Sequence, residues 1–275
     1  MDEVRGEFYF QENQLFKSYN INYKFNTSGY LLYEVVRSQN GVLIFLQEHL
    51  DRLSRSILSI NLYNKTEFKK AENILKKLVS VNNDKEGNIK LLVKRVDQRI
   101  CFSAYYIQHN YPDESLYKKG VDLITYKIQR PDPHLKQVAI SDLIRREITD
   151  YIKGSNVFEV LLVNESGYVT EGSKSNVFFI RNEEVITATD ESVLKGITRG
   201  KVIEILEEGN IKLIKRNIHL KELNSFKGAI ICGTSPKVIP VRKVDNINYV
   251  VNNSICRYAT EKFNEIFQNY ITRYK

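Results

Sequence analysis

The strongest constraint in this sequence is a polar stretch lodged between two apolar runs. Residues 157–163 read as an apolar run of strand length, Asn164-Glu165-Ser166-Gly167 as a turn, and residues 176–180 as a second apolar run. A buried hairpin is the expectation. Between the runs lies Thr170-Glu171-Gly172-Ser173-Lys174-Ser175-Asn176, where the chain is entering a core. Polar groups at that depth need partners, because an unpaired one costs free energy on leaving water. A second hairpin follows through residues 181–184. Then Leu194-Lys195-Gly196-Ile197-Thr198-Arg199 opens a helical pattern with Val202, Ile203 and Leu206 on one face. Gly196 to Thr198 therefore fall at a helix N-terminus, where backbone N–H groups and the helix dipole favour a phosphate or carboxylate.

The chain before this block begins as antiparallel strands at residues 7–10, 19–25, 31–36 and 42–46, with Asn40-Gly41 as a hairpin turn. A helix starts at Leu46, and Leu46, Leu50, Leu53, Ile57 and Ile60 form its buried stripe. His49 and Arg52 stand three apart, on a neighbouring face. A second helix covers residues 66–80, with Phe68, Ala71, Leu75 and Leu78 inward, and strands follow at 89–96 and 101–107. Residues 108–120 read as a linker, and a strand at 121–128 opens a second sheet. The expected domains are 1–115 and 116–275. Beyond the central block come a strand at 212–215, a short helix at 219–224, a strand at 228–233 ending in Gly233-Thr234-Ser235-Pro236, strands at 238–244, and a closing helix over 253–271. Two α/β (α+β) domains with mixed or antiparallel sheets and flanking helices are expected to meet at a cleft.

Composition narrows the function. A chain of 275 residues can bury a substantial core. No apolar run is long enough to span a bilayer, and MDEVRGEFYF lacks the basic start and apolar core of a signal peptide. Cys101, Cys232 and Cys256 are an odd number of widely spaced thiols, which suits a reducing, cytoplasmic setting. The formal charge of +8 is spread over every segment instead of forming a stripe, so no nucleic-acid partner is expected. It reads first as a basic but ordinary surface, and second as an attraction for an anionic cofactor or substrate.

The residues TEGSKSN followed by LKGITR resemble, in wording and separation, the class IV aminotransferase family of fold-type IV pyridoxal-phosphate enzymes. That family includes branched-chain and D-amino-acid aminotransferases and 4-amino-4-deoxychorismate lyase. The resemblance runs thinly over nearly the whole chain. It implies pyridoxal 5'-phosphate as cofactor, a homodimer, and either an amino acid with a 2-oxo acid or aminodeoxychorismate as substrate. By the same resemblance, Glu171 faces the pyridine nitrogen, with Ser173, Lys174, Ser175 and Asn176 walling the pocket. Arg52 binds the phosphate, supported by His49, opposite Ile197 and Thr198. Thr234, or else Ser235, serves the phosphate or the substrate carboxylate. Tyr33, in Gly29-Tyr30-Leu31-Leu32-Tyr33-Glu34, points into the active site, although the family's glycine-aspartate-glycine turn is missing there.

The catalytic lysine departs from the pattern. The separation from Glu171, with the preceding Pro133-His134-Leu135, puts its position at or near Ala139 in a stretch without lysine. Lys136 is the nearest, either at the cofactor through a small loop shift or solvent-facing ahead of a helix. Lys153 and Lys174 would need unusual geometry. Three hypotheses follow. The first is a working aminotransferase or lyase using Lys136. The second is a non-catalytic relative that binds pyridoxal phosphate or another phosphorylated ligand without turnover. The third is a basic nucleic-acid binder that shares the fold, which would show a steep salt dependence of oligonucleotide binding.

Overall fold

The computed structural model describes residues 2–18, 24–61, 67–96 and 99–275. The chain divides into two compact units. The first takes Met1–Asn110 and then recruits Leu135–Ala139 and Phe267–Lys275; the second takes Tyr111–His134 and Ile140–Ile266.

The first unit holds β1 (Asp2–Gln11), β2 (Gln14–Lys17), β3 (Lys24–Phe25), β4 (Tyr30–Gln39), β5 (Val42–Leu43), α1 (Leu46–Ser59), α2 (Glu67–Val81), β6 (Gly87–Val96) and β7 (Arg99–Ile107). Its strands form one sheet in the order β2-β1-β7-β6-β4-β5, with β3 on β1, and every pairing is antiparallel. Side chains alternate between the two faces of each strand. One face carries Leu32, Val36, Ile89, Leu91 and Phe102, which pack with Leu50, Leu53 and Ile57 of α1 and with Ala71, Leu75 and Leu78 of α2. The other carries an aromatic layer of Tyr9, Phe25, Tyr30 and Tyr105 around Leu92. The strand expected at 42–46 stops at Leu43, because Phe45 takes a left-handed conformation (φ 52°) that turns the chain into α1. Residues 19–23 of the expected strand at 19–25, and the side chain of Phe68, lie outside the described residues.

The second unit begins with a correction. The stretch 108–120, expected as a linker, contains α3 (Glu114–Lys119), capped by the Asp113 carboxylate, which accepts from the N–H groups of Ser115 and Leu116. There follow β8 (Val121–Lys127), α4 (Val138–Tyr151), β9 (Glu159–Val163), β10 (Tyr168–Gly172), β11 (Asn176–Arg181), β12 (Glu184–Thr187), α5 (Ile197–Glu208), β13 (Lys212–Lys215) and β14 (Ile218–His219). A 3-10 helix (Leu220–Ser225), β15 (Gly228–Gly233), β16 (Lys237–Val244), β17 (Ile247–Asn248) and α6 (Ser254–Tyr274) complete the chain.

These strands form a mixed sheet in the order β13-β12-β11-β15-β16-β8-β9-β10-β14, with β17 on β16. The pairs β12–β13, β16–β8 and β8–β9 are parallel. The expected hairpin between residues 157–163 and 176–180 does not form: β9 pairs with β10, whereas β11 pairs with β12 and β15. The polar stretch itself finishes β10, so Thr170 to Gly172 enter the sheet, and the Ser173–Ser175 turn carries the chain to a different neighbour. On α5 the buried face is Val202, Ile205 and Leu206, with Ile203 only half-buried.

Leu53 is fully enclosed between α1 and the sheet. Truncating Leu53→Ala should cost about 2–5 kcal/mol through lost burial and the cavity left behind. Chemical denaturation should show a lower unfolding midpoint, and an unchanged midpoint would mean that this face is not packed as described.

Candidate functional site

In the first unit the site residues gather along the edge of β4. Tyr33 and Glu34 are consecutive on this strand and so face opposite ways. Glu34 turns toward α1 and is only 2% exposed. Its Oε1 accepts the Nε–H of Arg52 at 2.8 Å, and its Oε2 accepts Nη2–H of the same guanidinium at 2.7 Å. The Oε2 atom also lies 2.8 Å from Nδ1 of His49, and since an ionised carboxylate only accepts, that nitrogen carries the proton. Burial pushes the Glu34 carboxyl up, but the Arg52 charge and hydrogen bonds, with the His49 hydrogen bond, hold it well below the usual carboxylate range. Burial pushes His49 down, against the opposing pull of Glu34, so the ring is neutral at pH 7. Arg52 thus presents one edge of its donor fork to Glu34, and His49 steadies the same carboxylate.

Tyr33 faces the other way and meets Lys136. The Nζ of Lys136 stands 4.2 Å from the Tyr33 ring centroid. Lys136 is held there by its backbone: the Tyr33 N–H donates to the Lys136 carbonyl at 2.9 Å, and Gln137 bridges Leu32 in antiparallel sense. Leu135 packs into the core against α1 and α2, while Val138 packs into the aromatic layer on the other face. The short segment 135–139 is thereby pinned along β4, with Lys136 half-buried and Ala139 exposed. A second lysine, Lys90 of β6, is buried with its Nζ 5.0 Å from the same ring. Sequence reading passed over Lys90; the available signal was a lone cation inside the apolar run Ile89-Lys90-Leu91-Leu92.

In the second unit the residues gather around Glu171, on β10 and 4% exposed. Its Oε1 accepts the Nε–H of Arg130 at 2.7 Å. Its Oε2 accepts the Leu194 N–H at 3.1 Å and the Nδ2–H of Asn176 at 3.4 Å. Asn176 also donates to the Leu194 carbonyl at 3.0 Å, tying Glu171 to the turn before α5. At that turn Gly196 is the N-cap of α5 and no side chain caps the helix, while a Cβ at position 196 would collide with Oδ1 of Asn176. Ile197 is the first helical residue and half-buried, and Thr198 is buried behind it. Thr234 is half-buried in the turn between β15 and β16, next to Gly233.

The wall expected from Ser173 to Asn176 is uneven. Ser175 and Asn176 are buried, Ser173 is half-buried, and Lys174 and Lys153 are exposed. The turn is held from below by Glu159, a buried carboxylate inside the run read as apolar, which accepts from the Lys174 N–H and the Ser173 hydroxyl. Burial pushes its carboxyl up. Arg199, buried in the first turn of α5, pairs with Asp190 at 2.7 Å and donates to the Ala188 carbonyl, anchoring the start of that helix. Sequence reading named neither Arg130 nor Glu159: Arg130 lies just past a strand, where a charge looks solvated until its burial is known, and Glu159 is absorbed into a run that reads as apolar.

A family model described as amino-transferase class IV matches residues 31–244. A protein of Methanocaldococcus jannaschii described as a branched-chain-amino-acid aminotransferase is 27% identical over 256 residues, covering 88% of each chain. A D-alanine aminotransferase of Bacillus licheniformis is 28% identical over 233 residues, covering 78% of each. The solved structure of a 4-amino-4-deoxychorismate lyase from Pseudomonas aeruginosa superposes with a TM-score of 0.74 at 19% identity, covering 87% of this chain and 92% of the other.

Removing the Glu34 charge should strip Arg52 of a buried partner. Glu34→Gln should cost about 3–5 kcal/mol at pH 7, because it leaves a guanidinium buried without its counter-charge. The folded Glu34 carboxyl is held below its ordinary value of 4.5, so its stabilisation is present above pH 4.5 and is lost as pH falls below it. Unfolding measured from pH 7 down to pH 3 should therefore show the two proteins converging in acid; parallel curves would disprove the assignment.

Proposed function

The chain belongs to the class IV aminotransferase family, and on that premise we propose that it moves an amino group between an amino acid and a 2-oxo acid with pyridoxal 5'-phosphate, using Lys136 as the catalytic amine. The observation that carries this reading is the Lys136 ammonium packed on the Tyr33 ring by a backbone clamp. A lysine fixed in this way differs from a solvated one before a helix, and it supplies the amine that position 139 lacks.

The residues present fit the cofactor. Pyridoxal phosphate, when bound, supplies an electron sink that stabilises negative charge on the amino donor's Cα. A buried carboxylate, Glu171, serves the ring nitrogen by holding a proton on it. The uncapped N-terminus of α5, with the backbone N–H groups of Ile197 and Thr198, suits a phosphate. Gly196 allows Asn176 to lie against that turn, where any Cβ would displace it. Arg52 adds a guanidinium for the phosphate, oriented by Glu34, and Thr234 contributes a hydroxyl to the phosphate or the substrate carboxylate. Lys136 Nζ, as the neutral amine, would take the proton from the amino donor's Cα and hold it for return, with Tyr33 limiting the directions its side chain can take. Asn176 ties Glu171 to the turn before α5, and the buried Ser175 belongs to the same wall. We also read the protein as a cytoplasmic homodimer, in keeping with its family and its three unpaired thiols.

Three outcomes test this reading. Borohydride reduction in the presence of pyridoxal phosphate should fix the cofactor on Lys136, identified by peptide mass spectrometry. Cofactor bound with no label on Lys136 would favour the non-catalytic relative instead. Lys136→Ala should lower transamination by about 10²–10⁴-fold, the range for a lost proton-transfer group, in assays that also offer aminodeoxychorismate to detect lyase activity. Gly196→Ala should weaken cofactor binding by about tenfold or more, corresponding to roughly 1.4 kcal/mol, through displacement of Asn176; unchanged affinity would remove that turn from the binding site.

A further inference from the structure

The ion pair between Arg130 and Glu171 lies outside the roles assigned so far. Arg130 follows β8, its side chain is 12% exposed against 5% for Glu171, and the Nε–H···Oε1 distance is 2.7 Å. A carboxylate this deeply buried favours its neutral form unless charge or hydrogen bonds compensate it. Leu194 and Asn176 contribute dipoles, and Arg130 contributes a full charge. This matters for chemistry as well as folding. A carboxylate facing a pyridine nitrogen shares one proton with it, and that proton resides on whichever partner binds it more strongly. An arginine on the carboxylate stabilises the anion and so directs the proton to the ring.

We propose that Arg130 is a positioning residue for the reaction, acting through Glu171 to keep that carboxylate ionised and so lodge the shared proton on the ring nitrogen. The inference rests on the assignment of Glu171 to that nitrogen. Among the described residues, Glu159 on β9, Lys174 in the turn after β10, Asp190 and Lys195 ahead of α5, and Arg199 on α5 are further ionisable groups on or beside the elements that meet here, and all are unchanged in the variants below.

The direct test is the ¹⁵N chemical shift of ring-labelled pyridoxal phosphate bound to the full chain. The wild type and Arg130→Lys should show the protonated-ring shift, whereas Arg130→Gln should show the neutral-ring shift with cofactor still bound. A protonated ring in Arg130→Gln overturns the proposal. Glu171→Gln separates this from failure of the underlying reading: if its bound cofactor keeps the wild-type shift, Glu171 does not serve the ring nitrogen at all. Unfolding of the cofactor-free protein gives a second readout. Arg130→Gln should lose stability at pH 8 and recover it toward pH 5 as Glu171 takes up a proton, while Arg130→Gln/Glu171→Gln should lack that pH dependence. If Arg130→Gln fails to fold at pH 8, folding of the double variant supports the proposal. An equal loss at both pH values, or failure of the double variant as well, marks Arg130 as merely structural and overturns it.

Discussion

A carboxylate taken out of water needs a counter-charge or hydrogen bonds to stay ionised, and each unit of this chain has a buried carboxylate paired with an arginine at the centre of its candidate site residues. In the first unit, Glu34 is closed in by α1 and answered by Arg52 and His49 from successive turns of that helix. In the second, Glu171 is answered by Arg130, by the Leu194 N–H and by Asn176. The two clusters differ in how they are built. Glu34 is compensated by one helix, and the pairing sets how α1 lies on β4. Glu171 is compensated by three separate stretches of chain, so its surroundings fix the exit from β8, the start of β11 and the turn into α5 together. Such groups are costly when unpaired, and removal of one partner is felt by all the elements that meet there.

The edge of β4 shows how a short excursion of the chain can position an amine. Residues 135–139 make one backbone hydrogen bond and one bridge to β4, and they place Leu135 and Val138 in two different hydrophobic clusters. Leu135 and Val138, the latter the first residue of α4, anchor the segment on either side of Lys136 and Gln137, and that anchoring constrains the lysine next to Leu135. Tyr33 then provides an aromatic face for its ammonium, with Lys90 on the same ring. Cation–π contacts of this kind are modest, about 0.5–2 kcal/mol, so orientation comes chiefly from the backbone.

Much of the architecture was legible in the sequence because it depends on periodicity. Leu50, Leu53 and Ile57 announced the buried face of α1, the runs at 89–96 and 101–107 announced β6 and β7, and Gly196 announced the start of α5. The misreadings arose where pattern underdetermines pairing. Two apolar runs separated by a turn suggested a hairpin, but strand partners are chosen by the whole sheet, and the polar stretch proved able to complete β10 because Glu171 found its counter-charge there. Separately, the spacing to Glu171 pointed to position 139, where Ala139 is exposed, and Lys136, three residues earlier, lies against the Tyr33 ring.

By itself the sequence determined the segments of α1, α2, β6, β7 and α5, the mixed α and β character, and the kinship carried by TEGSKSN and LKGITR, since these depend on residues close together in the chain. Tertiary structure alone decided that Arg130 meets Glu171 across 41 positions, that Glu34 holds Arg52, and that Lys136 and Lys90 share the Tyr33 ring. The reason is physical. Local propensity acts over a few residues, but the burial that makes a charge demand a partner, and the choice of that partner, exist only once distant segments have packed.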